Sequence, residues 1–278
     1  MLARLFRLLF VLTITTTLLI PVSARGDGGD RAELRRGFEI GLRHEPSIRQ
    51  KLAQLGFTGE KLEILVTHQL LLFSQQQVVD RIFQEAESAG ILNTARNPSA
   101  EDLASAQDFG LQLFNTLSMR GFRRLEHEDL KVVLRQTVKF LDDLPLRACS
   151  AIASGGVTTS QQEAALISLS LLVMSVGELE NYLRVVRSAV FAEVRQYPSI
   201  KTVSEPQRKI AEAAYLNALE ARITARSDAE EIWLAIAQPT NVSADVQCEL
   251  EKLSALAVLD MQGVVAEWQA RIYLELMQ

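Results

Sequence analysis

From about residue 31 to the end of the chain, apolar residues recur three and four positions apart, and no stretch alternates apolar and polar residues with a period of two. Side chains three and four apart share one face of an α-helix, whereas a strand sets alternate residues on one face. The pattern predicts an all-α chain, an antiparallel bundle of about eight to nine helices joined by short connections.

Helix boundaries are legible from polar residues and from glycine and proline. Ser160-Gln161-Gln162-Glu163 and Ser204-Glu205-Pro206-Gln207 are capping boxes, the second with proline where a first-turn N–H is dispensable, and Ser99-Ala100-Glu101-Asp102 is a weaker start. Gly90, Gly155-Gly156, Pro198 and Pro239 are stops. These signals predict helices over 31–43, 46–55, 59–89, 99–124, 127–143, 146–153, 160–196, 205–237 and 243–277, with Ser227-Asp228-Ala229-Glu230 dividing the 205–237 stretch in two.

The clearest stripe runs through Ala165, Leu169, Leu172, Val176, Leu179, Leu183, Val186 and Val190, an unbroken alternation of spacings of four and three. Such a seam packs lengthwise along a partner helix at about 20°. The last helix offers a matching stripe of Val246, Leu250, Leu253, Ala257, Met261, Val264, Trp268, Ile272 and Leu276. The expectation is a core of three long C-terminal helices, 160–196, 205–237 and 243–277. Trp233 and Trp268, on the last two of them, read as core residues.

Gly155-Gly156-Val157-Thr158-Thr159 is the one internal boundary, between an N-terminal helical region of 31–154 and a C-terminal long-helix bundle of 157–278, with the two packed as one unit. The first 24 residues read differently. Arg4 and Arg7 precede an apolar segment from Leu8 to Ile20, and Val22 and Ala24 supply small residues before a cut, the pattern of a secretory signal peptide. The apolar segment falls short of the roughly 20 residues that a spanning helix needs. The chain is therefore expected to be periplasmic or secreted, cleaved near Ala24, without a stable membrane anchor and with a flexible N-terminus at 25–30.

Removing Arg4 and Arg7 leaves 27 basic residues against 34 acidic ones, a net charge of −7. Neither half carries the basic excess that binds nucleic acid or an anionic membrane surface. Two cysteines, Cys149 and Cys248, in an exported chain predict one disulfide closing a loop of about 100 residues.

Candidate chemistry is sparse. The three histidines, His44, His68 and His127, lie far apart in sequence, and no Glu-x-x-His or His-Glu-x-x-His spacing links them, so no metal site is expected. His68 sits in an apolar run and reads as a buried neutral imidazole. Glu126-His127-Glu128-Asp129 is the densest polar cluster, but at a helix start its acids complement the backbone N–H groups and point in different directions. Nucleophile elbows, Cys-x-x-Cys pairs and phosphate-binding glycine loops are missing, so neither catalysis nor a cofactor is expected.

These readings converge on an exported helical protein-interaction module: an adaptor, an inhibitor or immunity-type partner, or an assembly factor for another envelope or secreted protein. Arg120, Arg123 and Arg124, at three- and four-residue spacing, with Trp268, form its candidate partner surface. The alternative is a carrier of an apolar ligand such as a lipid, with a cavity between helices. A third reading is an enzyme whose acid and base groups, His68 or His127 among them, meet only in the fold.

Overall fold

The computed structural model describes residues 31–90, 100–143, 149, 168–238 and 242–275. The leader at 1–24, the 25–30 segment, Ser99, the Gly155 boundary and the capping box at Ser160 lie outside the described residues. Among the described residues every regular element is helical. The helices are α1 (Arg31–Leu42), α2 (Glu45–Gln54), α3 (Gly59–Ser74), α4 (Gln76–Ser88), α5 (Ala100–Phe122) and α6 (His127–Asp143), followed by α7 (Val176–Arg195), α8 (Glu205–Thr224), α9 (Ala229–Ala237), α10 (Ala244–Asp260) and α11 (Gly263–Glu275).

Where polar residues mark a start, the structure follows the sequence. Helix α6 begins at His127 with Glu128 and Asp129 in its first turn. Ser204 begins α8, its amide donating to Gln207 Oε1 at 2.9 Å. The predicted 99–124 helix runs unbroken as α5, but the 59–89, 160–196, 205–237 and 243–277 stretches are each divided. Within 59–89 the break falls at Gln75, which is extended. Ser74 donates its hydroxyl to the Leu71 carbonyl at 2.7 Å, and Arg43 Nε donates to the Phe73 carbonyl at 2.8 Å. Side-chain bonds of this kind replace the backbone bonds that would have continued the helix. Within 205–237 the break comes at 225–228, where the Asp228 capping sequence announced it. The break before α11 uses Gly263 at φ +66°, a left-handed conformation that favours glycine.

The 160–196 stretch is also divided. Residues 168–173 are helical, and α7 starts afresh at Ser175. The Glu178 amide donates to Ser175 Oγ at 3.4 Å and the Ser175 amide to Glu178 Oε2 at 2.7 Å, a complete capping box. Ser175-Val176-Gly177-Glu178 carries that signature in the sequence, but the apolar stripe runs through it unbroken.

The described residues gather into two compact units, each built from separate stretches of chain. One comprises 31–90, 100–121 and 174–197. In it α7 packs on α3 and α4, α2 packs on α3, and α1 packs on α4. Leu179, Leu183, Val186 and Val190, the second half of the seam, are buried there, as are Leu65, Val66, Leu72 and Phe73 of α3. Helix α5 approaches α7 so closely that a Cβ on Gly121 would collide with the backbone carbonyl of Ala189.

The other unit comprises 122–143, 149, 168–173, 198–238 and 242–275. Helices α8, α10 and α11 pack on one another, α6 packs on α10 and α11, and α9 packs on α8 and α10. Leu219, Ile223, Ile232, Leu253 and Ala257 form a buried core shared by α8, α9 and α10. The disulfide Cys149–Cys248 lies in this unit, with Cα atoms 5.9 Å apart and 99 positions between them in sequence. The buried Arg271 guanidinium holds the chain between α5 and α6, donating to the carbonyls of Arg123 (3.1 Å) and Leu125 (2.9 Å) and to Glu267 (2.7 Å).

The seam of α7 is thus covered by α3 and α4, where the sequence pattern had suggested 205–237 and 243–277 as its cover. Periodicity shows that a stripe is buried without showing which of several equally apolar stripes lies against it.

Candidate functional site

The residues singled out from sequence as a partner surface have different fates. Arg120 is exposed on α5. Arg123 is half-buried and donates to Glu275 Oε1 at 3.3 Å, a carboxylate that also accepts from Arg208 at 2.7 Å. Arg124 is buried and donates to the Pro198 carbonyl at 2.8 Å. Trp268 is half-buried on α11. Arg123 and Arg124 are therefore engaged in holding the segment after α5 to the start of α8 and the end of α11, and Arg120 is the arginine of the three that faces solvent.

Among the described residues, three large apolar side chains are exposed together on α9. Asp228 precedes this helix, and Arg226 fixes the approach by donating to both Asp228 carboxylate oxygens (2.7 and 2.8 Å) and to Glu249 of α10 (2.7 Å). Ile232 and Ala235 are the buried anchors of α9. On the opposite face, Glu230, Trp233, Leu234 and Ala237 follow the i, i+3, i+4, i+7 spacing of one helical stripe and are exposed. Trp233 is 41% exposed, Leu234 55%, and Ile236, at the edge of the stripe, 39%. This departs from ordinary amphipathicity, since three of the four large apolar side chains of the helix face water and Ile232 alone is buried. Trp233 does not join the core that the sequence pattern had assigned to it.

Two buried polar clusters are the other chemical features. In the first unit His68 is fully buried on α3, its Nδ1 accepting from Arg187 of α7 at 3.0 Å, with the Leu183 carbonyl nearby. Burial, then the positive charge of Arg187, lowers the imidazole from 6.5 to about 3. A ring held neutral, with its basic nitrogen already occupied, is a poor proton acceptor, and its role is to fix the half-buried guanidinium. His127 is half-buried at the start of α6, pulled below its ordinary value by burial and by Lys131, with Glu267 and Glu128 opposing. His44 Nδ1 bonds Ser47 Oγ at 2.7 Å before α2.

In the second unit Glu251 of α10 is 9% exposed, and its Oε2 has no hydrogen-bond partner. Burial raises this carboxyl to about 7. Tyr215 of α8 and Tyr273 of α11 lie near enough to feel its charge, and both hydroxyls are raised chiefly by burial. The Tyr215 hydroxyl is bonded to Ser254 Oγ, which donates in turn to the Leu250 carbonyl at 2.7 Å. The sequence held one signal for this cluster, an acid between Leu250 and Leu253 on an apolar stripe.

Among the described residues no group of three or more His, Cys, Asp or Glu side chains is placed to hold a metal ion, and no helix is long and apolar enough to cross a membrane. Comparison of the chain with protein-family models, with curated proteins and with solved structures finds no match.

Proposed function

We propose that the chain is an exported, periplasmic helical protein-interaction module, serving another envelope or secreted protein as adaptor, inhibitor or immunity-type partner, or assembly factor, and that α9 is the face it presents. The antiparallel helical bundle is the scaffold, and the chain acts by binding, without catalysis or a cofactor.

The observation that carries this reading is the outward stripe of α9. Exposed apolar residues scattered singly are ordinary, but tryptophan, leucine and isoleucine clustered on one short helix mark an interaction site. Tryptophan is also the side chain most often found to dominate the energy of such contacts. Arg226 and the anchors Ile232 and Ala235 hold the helix in place, so the stripe is presented preformed and little ordering entropy opposes docking.

The test is site-specific photo-crosslinking in cells producing the full chain, with the photoreactive residue at Leu234 and, as control, at the exposed Asn217 of α8. The expected result is one discrete adduct from position 234 that is lost with Trp233→Ser and does not form from position 217. Equal labelling from both positions, or none from 234, refutes α9 as the binding face.

A further inference from the structure

We propose that the partner segment seated on α9 is a cationic amphipathic helix, apolar along one face and flanked by lysine or arginine. This rests on the reading of α9 as the docking face and adds the chemistry of what docks there.

The argument begins with charge. Between Ser227 and Glu251 the chain holds six acidic residues, Asp228, Glu230, Glu231, Asp245, Glu249 and Glu251, and no lysine or arginine. Arg226 neutralises Asp228 and Glu249, and Glu251 is buried. Glu230 and Glu231 remain exposed at the start of α9, with no ion-pair partner among the described residues. Glu230 heads the same stripe that carries Trp233, Leu234 and Ala237, and Glu231 flanks it on the other side from Ile236. The face is therefore apolar along two turns, with an acidic edge whose carboxylates no described cation pairs.

Shape selects a helix. Nine residues at about 1.5 Å each give a straight ridge of roughly 13 Å. A stripe at i, i+3, i+4, i+7 is the ridge that packs into the groove of a second helix. Leucine-like residues of that helix cover Trp233 and Leu234 while its flanking cations meet Glu230 and Glu231, the arrangement that gives paired helices their specificity.

Other occupants fit worse. A second copy of α9 brings no base to the acids: a parallel pairing sets Glu230 and Glu231 against themselves, and an antiparallel one sets them against Ala237 and Gln238. An anionic lipid surface is repelled by the same two carboxylates.

The experiment uses the full chain after removal of the leader and three synthetic 14-residue peptides, with binding followed by fluorescence anisotropy. The first places leucines on one helical face and lysines beside them. The second replaces each lysine with glutamate, and the third scrambles the first so that no apolar face forms. The lysine peptide is expected to bind about tenfold or more tightly than either of the others, and Trp233→Ser or Leu234→Ser to weaken it by about tenfold. Glu230→Gln with Glu231→Gln should weaken it severalfold and flatten its salt dependence, since exposed charges are screened within about 10 Å at 0.1 M salt.

If the glutamate peptide binds as tightly as the lysine peptide, the cationic partner is overturned while apolar docking on α9 stands. Binding of the lysine peptide that neither Trp233→Ser nor Leu234→Ser weakens overturns the docking face as well. Failure of all three peptides, alongside a crosslinked adduct at position 234, overturns the helical cationic partner and leaves the interaction reading intact.

Discussion

Replacing Glu251 with glutamine should stabilise the unit that contains it, and should do so only at neutral and alkaline pH. The glutamine keeps the shape of the side chain and removes its charge. In the native state burial raises the Glu251 carboxyl to about 7, while in the unfolded chain it titrates near 4.5. Below 4.5 both states are protonated, and the group contributes nothing to the pH dependence. As pH rises from 4.5 toward 7, the unfolded state releases its proton while the folded state retains it, so stability falls; above about 7 the whole cost is in place and the slope disappears. The raised value corresponds to ~3 kcal/mol. Tyr215 and Tyr273 face the carboxyl from α8 and α11, and Lys252 of its own helix is occupied by Asp142 of α6. Both tryptophans of the chain, Trp233 and Trp268, lie in this unit, so tryptophan fluorescence reports its unfolding and not that of the other. Urea titrations at pH 4 and pH 8 should show equal midpoints for wild type and Glu251→Gln at pH 4, and a midpoint higher by about 1–2 M for the variant at pH 8. Equal midpoints at pH 8, or an advantage for the variant at pH 4, would refute the assignment of the cost to a buried carboxyl.

Three further outcomes are expected. Gly121→Ala forces a Cβ into the Ala189 carbonyl and should cost ~1–3 kcal/mol, read as a lower thermal midpoint by circular dichroism, whereas Gly177→Ala, which meets open space, should not share the loss. Because His68 stays neutral when buried, acid favours the unfolded chain, which takes up the proton: stability of that unit should fall as pH drops below 6.5, by ~3 kcal/mol at pH 4. His68→Gln should abolish this portion of the slope in melts at pH 4 and 7. Cys149→Ser with Cys248→Ser opens a loop of 99 positions and should lower stability by up to ~4–5 kcal/mol, seen as an earlier tryptophan transition and matched by reducing the wild type.

Features that depend on local chemistry were visible in the sequence. The helical class, the start of α6 at His127, the cap at Ser204 and the Cys149–Cys248 bridge each follow from residues close in sequence or from the count of cysteines. The breaks at Gln75, Ser175 and Gly263 were harder to see, because an apolar stripe continues across each of them and the polar signal is one or two residues long. Choice of partner was not legible at all. An apolar seam does not name its partner in the sequence, and it is the folded chain that lays α7 on α3 and α4. The same degeneracy conceals the site. Ile232 with Ala235 and Trp233 with Leu234 make equally apolar faces of α9, and periodicity places neither inside. The three arginines near residue 120 looked free because the carbonyls and carboxylates that engage Arg123 and Arg124 come from residues 74 to 152 positions away.

The order in which the chain is made bears on how it can fold. Residues 31–121 emerge first, yet the helix that covers α3 and α4 ends at Arg195, and His68 waits for a guanidinium 119 positions later. Until then α3 and α4 lack the cover that α7 gives them. The segment that follows, 122–143, belongs to a unit whose helices α8 to α11 start only at Glu205, and its bridge waits for Cys248. Neither unit can close as its own first half appears, so the nascent chain carries two sets of uncovered apolar helices at once, the condition in which association with the wrong partner competes with folding. Shortened forms cut between 144 and 167 would lock in that state permanently: the N-terminal fragment would lack α7 and the C-terminal one α6. Domain-by-domain expression, the usual route to a simpler protein, is closed to this chain by its own threading.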